Sequence, residues 1–362
     1  MWKNEIGESE NNYMKVLVKK EVINRKDDIM YFKGKNNISF LAGVVSENIL
    51  YYSSYNFGGI WKLDLDTGKS EMLAYLPDNR KHEFAFKIYD EIWFAPAYHE
   101  KNIFDVYNIK NKTINCISVR PTKNNEKRYS NYIETNNEIW IMPAMVDYII
   151  VIDKISKNIE YINLSNFGLK DGEFYFINSI KIGDTIYLYE TKKSHLICID
   201  IGTKKVHTEI LGRIETEFRN VFNFDKYLYI LPKNINGNSI VKFDTEQKKI
   251  VNEYKIFDDP SVGKLICSGC KVIGNIAYIA PFNFNKIIKW SIEGNLETIK
   301  IESINGSNNQ QLCYWEAIDK KNGFVFGIET EGAPLFILED KGRSRILEII
   351  VDELKDGLLR IL

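Results

Sequence analysis

One hydrophobic pattern recurs along the chain: an apolar residue, an aromatic, another apolar residue and, in four copies, a proline close behind. Ile92-Trp93-Phe94-Ala95-Pro96, Ile139-Trp140-Ile141-Met142-Pro143, Leu228-Tyr229-Ile230-Leu231-Pro232 and Ala277-Tyr278-Ile279-Ala280-Pro281 are the full copies. Leu50-Tyr51-Tyr52, Ile186-Tyr187-Leu188 and Phe324-Val325-Phe326 are shorter ones. The central residues stand at 51, 93, 140, 187, 229, 278 and 325, so successive anchors are 42–49 residues apart. A polar turn follows each anchor, starting at Asp64, Asn108, Asp153, Asp200, Asp244, Ser291 and Glu339. Asp, Asn, Gly and Thr in such turns tolerate positive φ or bond locally to the backbone, which is hairpin chemistry.

A β-rich run precedes each anchor, as in residues 84–89 and 219–224, and another follows each turn, as in residues 114–119 and 250–256. Each unit therefore predicts four short strands, with little helical periodicity anywhere. A four-stranded unit of about 45 residues cannot bury both of its faces alone, whereas radial packing of such units does so. The expected fold is all-β: a seven-bladed β-propeller of four-stranded antiparallel blades over residues 39–351. Residues 1–38 would form an N-terminal segment whose run at 15–19 adds an outer strand to the last blade. Residues 352–362 would pack on the propeller as a tail.

The run Trp61-Lys62-Leu63-Asp64-Leu65-Asp66-Thr67-Gly68-Lys69 resembles the strand, Asp-x-x-Thr-Gly-Lys turn and strand of bacterial PQQ-type and YVTN-type propeller repeats. Residues 197–205 and 239–249 look similar. The resemblance implies the fold and no catalytic residue. The tryptophan-docking motifs of PQQ enzymes, the paired glycines of kelch blades and the Trp-Asp marks of WD repeats do not recur.

Composition narrows the classes. Lys+Arg total 48 against 49 Asp+Glu, a balance that argues against a dedicated nucleic-acid or anionic-membrane binder. The amino terminus lacks the apolar core of a secretory signal and no apolar run is long enough to span a bilayer, so a cytoplasmic location without membrane insertion is expected. Five cysteines, an odd number, fit reduced thiols. Cys267-Ser268-Gly269-Cys270 is the one CxxC; with no second ligand pair at zinc spacing, it reads as a structural pair on an inner strand. The four histidines share no HxH or HExxH spacing, and neither GxSxG nor a P-loop is present. No metal and no cofactor are expected.

Topology indicates where a site would form. Loops joining one blade to the next, together with loops between second and third strands, open on one face around the axial channel. That face is expected to carry His82, Glu83, Arg128, Arg219, Trp315 and Glu316 at the starts of inner strands, and Tyr55 and His99 in the other loops. The leading expectation is a non-enzymatic binding or scaffolding propeller that holds a protein or peptide on this face. The alternative is an enzyme, a lyase or hydrolase, or a small-molecule binder at the channel mouth. There His82 or His99 would serve as acid or base, with Glu83 or Glu316 orienting the histidine or binding a metal. Arg128 and Arg219 would hold an anionic group, and Tyr55 and Trp315 would offer aromatic platforms.

Overall fold

The computed structural model describes residues 40–300, except 55–58, 77–79, 98–101, 122–128, 170–173, 192–194, 212–216, 262, 282–285 and 293; outside that span it describes strands alone. Strands and sheets follow the repeat. The second sheet consists of β7 (His82–Ile88), β8 (Glu91–Pro96), β9 (Ile103–Asn108) and β10 (Thr113–Ser118). Next come β11 (Tyr129–Glu134), β12 (Glu138–Pro143), β13 (Tyr148–Asp153) and β14 (Ile159–Asn163). The fourth sheet holds β15 (Phe176–Ile182), β16 (Thr185–Glu190), β17 (His195–Asp200) and β18 (Val206–Ile210). The fifth holds β19 (Phe218–Phe224), β20 (Tyr227–Pro232), β21 (Ser239–Asp244) and β22 (Lys249–Lys255). The sixth holds β23 (Cys267–Ile273), β24 (Ile276–Pro281), β25 (Lys286–Ser291) and β26 (Leu296–Lys300). The last consists of β27 (Leu312–Trp315), β28 (Val325–Glu329), β29 (Leu335–Leu338) and β30 (Ser344–Leu347).

The fold is thus an all-β propeller with six four-stranded blades, not the seven expected. The first repeat, β3 (Phe40–Ser46), β4 (Ile49–Ser54), β5 (Gly59–Asp64) and β6 (Lys69–Tyr75), is not a separate four-stranded blade. It runs on through β31 (Ile350–Asp352) and β2 (Ile29–Phe32) to β1 (Val22–Lys26) as one sheet of seven strands. The physical reason is edge pairing. An outermost strand leaves a row of unpaired N–H and C=O groups, and β31 covers that of β6 in parallel, with Ile350 opposite Lys69. An anchor count reports repeats and is blind to which edge a distant short strand caps. The N-terminal strands β1 and β2 join this sheet, while residues 15–19 lie outside the described residues.

All seven anchors fall on second strands, from Tyr51 on β4 to Val325 on β28. Burial explains their sequence: β12 is buried from Ile139 to Pro143 and β13 from Tyr148 to Ile152, whereas the fourth strands β10 and β22 are largely exposed. Apolar residues therefore persist without alternation on the two middle strands, which neighbouring sheets cover on both faces. The third-to-fourth-strand turns carry a common device. The Oδ1 atoms of Asp64 and Asp244 each accept two backbone N–H bonds at 2.8–2.9 Å, from residues two and three further on. Asp153 and Asp200 accept backbone and hydroxyl bonds from Ser156 and Thr203. These donors hold all four carboxyls below the ordinary aspartate range. One step past the turn the chain is left-handed, at Gly68 (φ 74°) in the Thr-Gly-Lys copy and at Lys157, Lys204 and Lys248 in others.

The chain forms two compact units, residues 1–95, 104–117 and 315–362 in one, and 96–103 and 118–314 in the other. Within the second unit the innermost strands β11, β15, β19 and β23 pack each against the next. Its core lies between sheets. Phe222 stacks on Tyr229 at 5.1 Å, and Trp290 of the following sheet meets Tyr229 edge-on at 5.4 Å. Trp290→Ala is expected to lower the unfolding free energy by about 3–5 kcal/mol in urea titrations. Ile155→Ala, at an exposed turn, should change it by less than about 0.5 kcal/mol.

Candidate functional site

In the second to sixth sheets the first strand begins at a buried position. Tyr129, Phe176 and Phe218 fill it with aromatic rings, while the second sheet places His82 there, 1% exposed. The third position of each third strand is apolar in Trp61, Ile150, Ile197, Val241 and Ile288, but Asp105 in the second sheet, 0% exposed. These two departures from the repeat face each other, with His82 Nε2 2.9 Å from Asp105 Oδ2. An ionised carboxylate only accepts, so the ring donates from Nε2. Its face packs on Phe94 at 5.3 Å.

Two more groups complete the cluster. Arg80 Nη1 lies 2.9 Å from Asp105 Oδ1 and 3.5 Å from Cys116 Sγ, and the Cys116 thiol donates to the same Oδ1 at 3.3 Å. Asp105 therefore joins the first, third and fourth strands of one blade and the segment that enters it. A buried carboxylate is tolerated when its lone pairs are this fully used. The cluster is built to hold strands together: the His82 side chain is covered, and its Nδ1 has no hydrogen-bond partner among the described residues.

A second polar construction stands at the loop end of the fifth and sixth sheets, where three connections meet. Glu217, just before β19, pairs with Lys233, just after β20, at 2.7 Å. The loop 233–238 then docks on the connection 256–266. Asn236 Nδ2 donates to the carbonyls of Asp259 (2.8 Å) and Gly263 (2.5 Å), and its Oδ1 accepts from Asp259 N–H (2.8 Å). Asn234 Oδ1 accepts from Leu265 N–H at 2.8 Å, and Asn238 Nδ2 donates to Asn234 O at 2.9 Å. Backbone bonds from Ile235 to Leu265 and from Gly237 to Phe257 add to these. Ile235 and Leu265 are fully buried in the core cluster around Trp290, so the two loops are anchored beneath as well as laced across. Gly237 (φ 78°) and Gly263 (φ 68°) supply the left-handed turns that this docking needs.

Of the residues expected to form a site, His82 belongs to the buried cluster and Glu83 follows it on β7, half-buried. Arg219 lies on β19 between Phe218 and Asn220, where the register against β20 gains one residue, and Trp315 ends β27. Tyr55, His99, Arg128 and Glu316 lie outside the described residues. Among the described residues no cluster of three or more His, Cys, Asp or Glu is placed to hold a metal ion. Sequence reasoning missed Arg80, Asp105 and Cys116. The signal was present: Asp105 is the one charge within Ile103-Phe104-Asp105-Val106-Tyr107, at a position apolar in the other copies. The asparagines at 234, 236 and 238 alternate in a loop, and alternation alone did not reveal that they lace it to a segment some 25 residues further on.

No protein-family model and no curated protein sequence matches the chain. Solved structures do, at the level of fold. A streptogramin B lyase has a TM-score of 0.63 at 15% identity, with 86% of this chain and 94% of that chain covered. A virginiamycin B lyase from Staphylococcus aureus has a TM-score of 0.62 at 17% identity, covering 84% and 96%. A chain of a mitotic checkpoint complex has a TM-score of 0.60 at 10% identity, covering 87% and 94%. Identities this low carry the β-propeller fold and leave function to the site.

Thermodynamic coupling tests the strand-holding role. Asp105→Ala, which strands His82 and Arg80 without their carboxylate, is expected to cost about 3–5 kcal/mol of stability. His82→Phe with Asp105→Ile, which restores the apolar residues of the other repeats, should be less destabilised than the sum of the single changes by at least about 1 kcal/mol. Strict additivity in a double-mutant cycle would show that the two residues act independently.

Proposed function

We propose that this chain is a binding propeller of the cytoplasm that recognises a protein or peptide partner through its loops. The observation that carries the reading is the laced loop pair 233–238 and 256–266. Ordering a loop on binding costs free energy that subtracts from affinity, and a loop already fixed by hydrogen bonds and buried anchors avoids that cost. The outward side of the pair offers Lys233, Pro260, Ser261 and Lys264, all exposed, a polar surface of the kind that forms the rim of a protein interface. Among the described residues no helix is long and apolar enough to cross a membrane.

The Glu217–Lys233 pair is exposed on both sides, so reversing one charge alters the surface with little effect on folding. A photo-crosslinking residue at position 260 is expected to trap a discrete partner in cells. The same residue at position 155, at the opposite end of its own sheet's strands, should not. Lys233→Glu should reduce the adduct from position 260 at least about fivefold, which corresponds to about 1 kcal/mol. Equal adducts from both positions, or an adduct indifferent to Lys233→Glu, would remove the loop pair as the recognition surface.

A further inference from the structure

Cys267 and Cys270 stand three apart in sequence, a spacing that puts two residues of a regular strand on opposite faces. The pairing of β23 with β24 changes this. Cys267 lies opposite Pro281, Gly269 opposite Ala280 and Cys270 opposite Ile279, so one extra residue is accommodated between Cys267 and Gly269. Pro281 and Ile279 are two apart on β24 and share a face. Their opposite numbers, the two cysteines, therefore share one too. Two strand positions span about 6.6 Å at a rise of about 3.3 Å per residue, and the bulge bends the strand between them. Disulfides bridge Cα atoms about 4.4–6.8 Å apart.

Both side chains belong to one core cluster, Cys267 fully buried and Cys270 packed against it but partly exposed. Burial, and next the neighbouring Cys267 sulfur, push the Cys270 thiol well above its ordinary range. Lys271, whose ammonium burial itself brings down to about 8, acts on Cys270 in the opposite direction. Neither thiol is joined in a disulfide in this structure. The pair also sits at the root of the laced loops, since Cys267 N–H donates to Lys233 O at 2.9 Å.

We propose that Cys267 and Cys270 form a reversible dithiol–disulfide pair bridging the bulge of β23, oxidised by low-molecular-weight disulfides such as oxidised glutathione. Cys270, the more exposed, loses its proton to water and its thiolate attacks one sulfur of R–S–S–R. That S–S bond breaks, a mixed disulfide forms on Cys270, and the departing thiolate takes up a proton. Cys267, deprotonated in turn, attacks Cys270 Sγ and expels the second thiolate, which is also protonated. Two cysteines lose two electrons and two protons, and one R–S–S–R becomes two R–SH. Burial of both thiols makes the exchange slow, since the thiolate is the attacking form.

Trypsin provides a direct reading, because cleavage after Lys264 and Lys271 releases Leu265–Lys271, which contains these two cysteines and no other. The folded full chain is equilibrated with mixtures of reduced and oxidised glutathione, under conditions in which buried Cys198 stays unmodified. It is then alkylated with one reagent, reduced and alkylated with a second. The expected peptide shifts from two first labels to two second labels as the mixture becomes oxidising, and before reduction it is lighter by about two hydrogen masses with no glutathione attached. In Cys267→Ser, Cys270 is expected to carry glutathione instead. A wild-type peptide that retains both first labels at every ratio, or that accumulates glutathione on Cys270 without closing, would overturn the proposal.

Discussion

The innermost strands β11, β15, β19 and β23 pack directly each on the next, and, like β3, each leaves the regular pleat as it begins. In β3, β11, β15, β19 and β23 the register against the second strand gains one residue near the first or second position. An extra residue bends the strand and frees backbone groups that the ladder no longer pairs, and in a crowded core those groups need partners. The second unit meets this demand from side chains. Asn131 Nδ2 donates to Ser179 O at 3.0 Å and its Oδ1 accepts from Ser179 Oγ at 2.8 Å; Asn178 Nδ2 donates to Asn220 Oδ1 at 2.7 Å. Asn178 and Asn220 also accept from the backbone N–H groups of Ser179 and Val221. The result is a polar relay running from β11 through β15 to β19, fixed at the bulges. The same irregularity decides which side chains share a face in β23, so local geometry at the strand start governs chemistry as well as packing.

The repeat was legible because it is written in hydrophobic residues. A strand covered on both faces cannot alternate, and Ile139-Trp140-Ile141-Met142 on β12 shows this without any structure. The hairpin turns were legible for a different reason, since an Asp that accepts from the next two or three N–H groups leaves a local signature. The blade count was not. The seven-stranded sheet depends on three residues, Ile350–Asp352, lying parallel to β6, and a three-residue strand has no period to detect. The buried cluster was half legible. His82 stands out in the sequence as a histidine at a strand start, but its partner Asp105 lies 23 residues on, and only the alignment of repeat upon repeat marks that position as one where an apolar residue is the rule.

Two polar constructions with opposite energetic logic are therefore built into one repeat. Replacing the Asp105 cluster by the apolar residues of the other copies removes a desolvation cost, so its presence is no argument for stability; what the buried carboxylate adds is a demand for specific partners. Arg80, His82 and Cys116 can meet that demand in one register only, because a one-residue slip of β9 would turn Asp105 to the other face. The asparagine-laced loops bear no such cost, since their amides are neutral and their carbonyl partners lie near the surface. They exchange water for protein partners at small net gain and acquire a fixed shape. A propeller needs the first kind of device where identical-looking strands might pair out of register, and the second where the chain leaves the sheets. The charged cluster lies wholly in the first unit, the laced loops and the asparagine relay in the second.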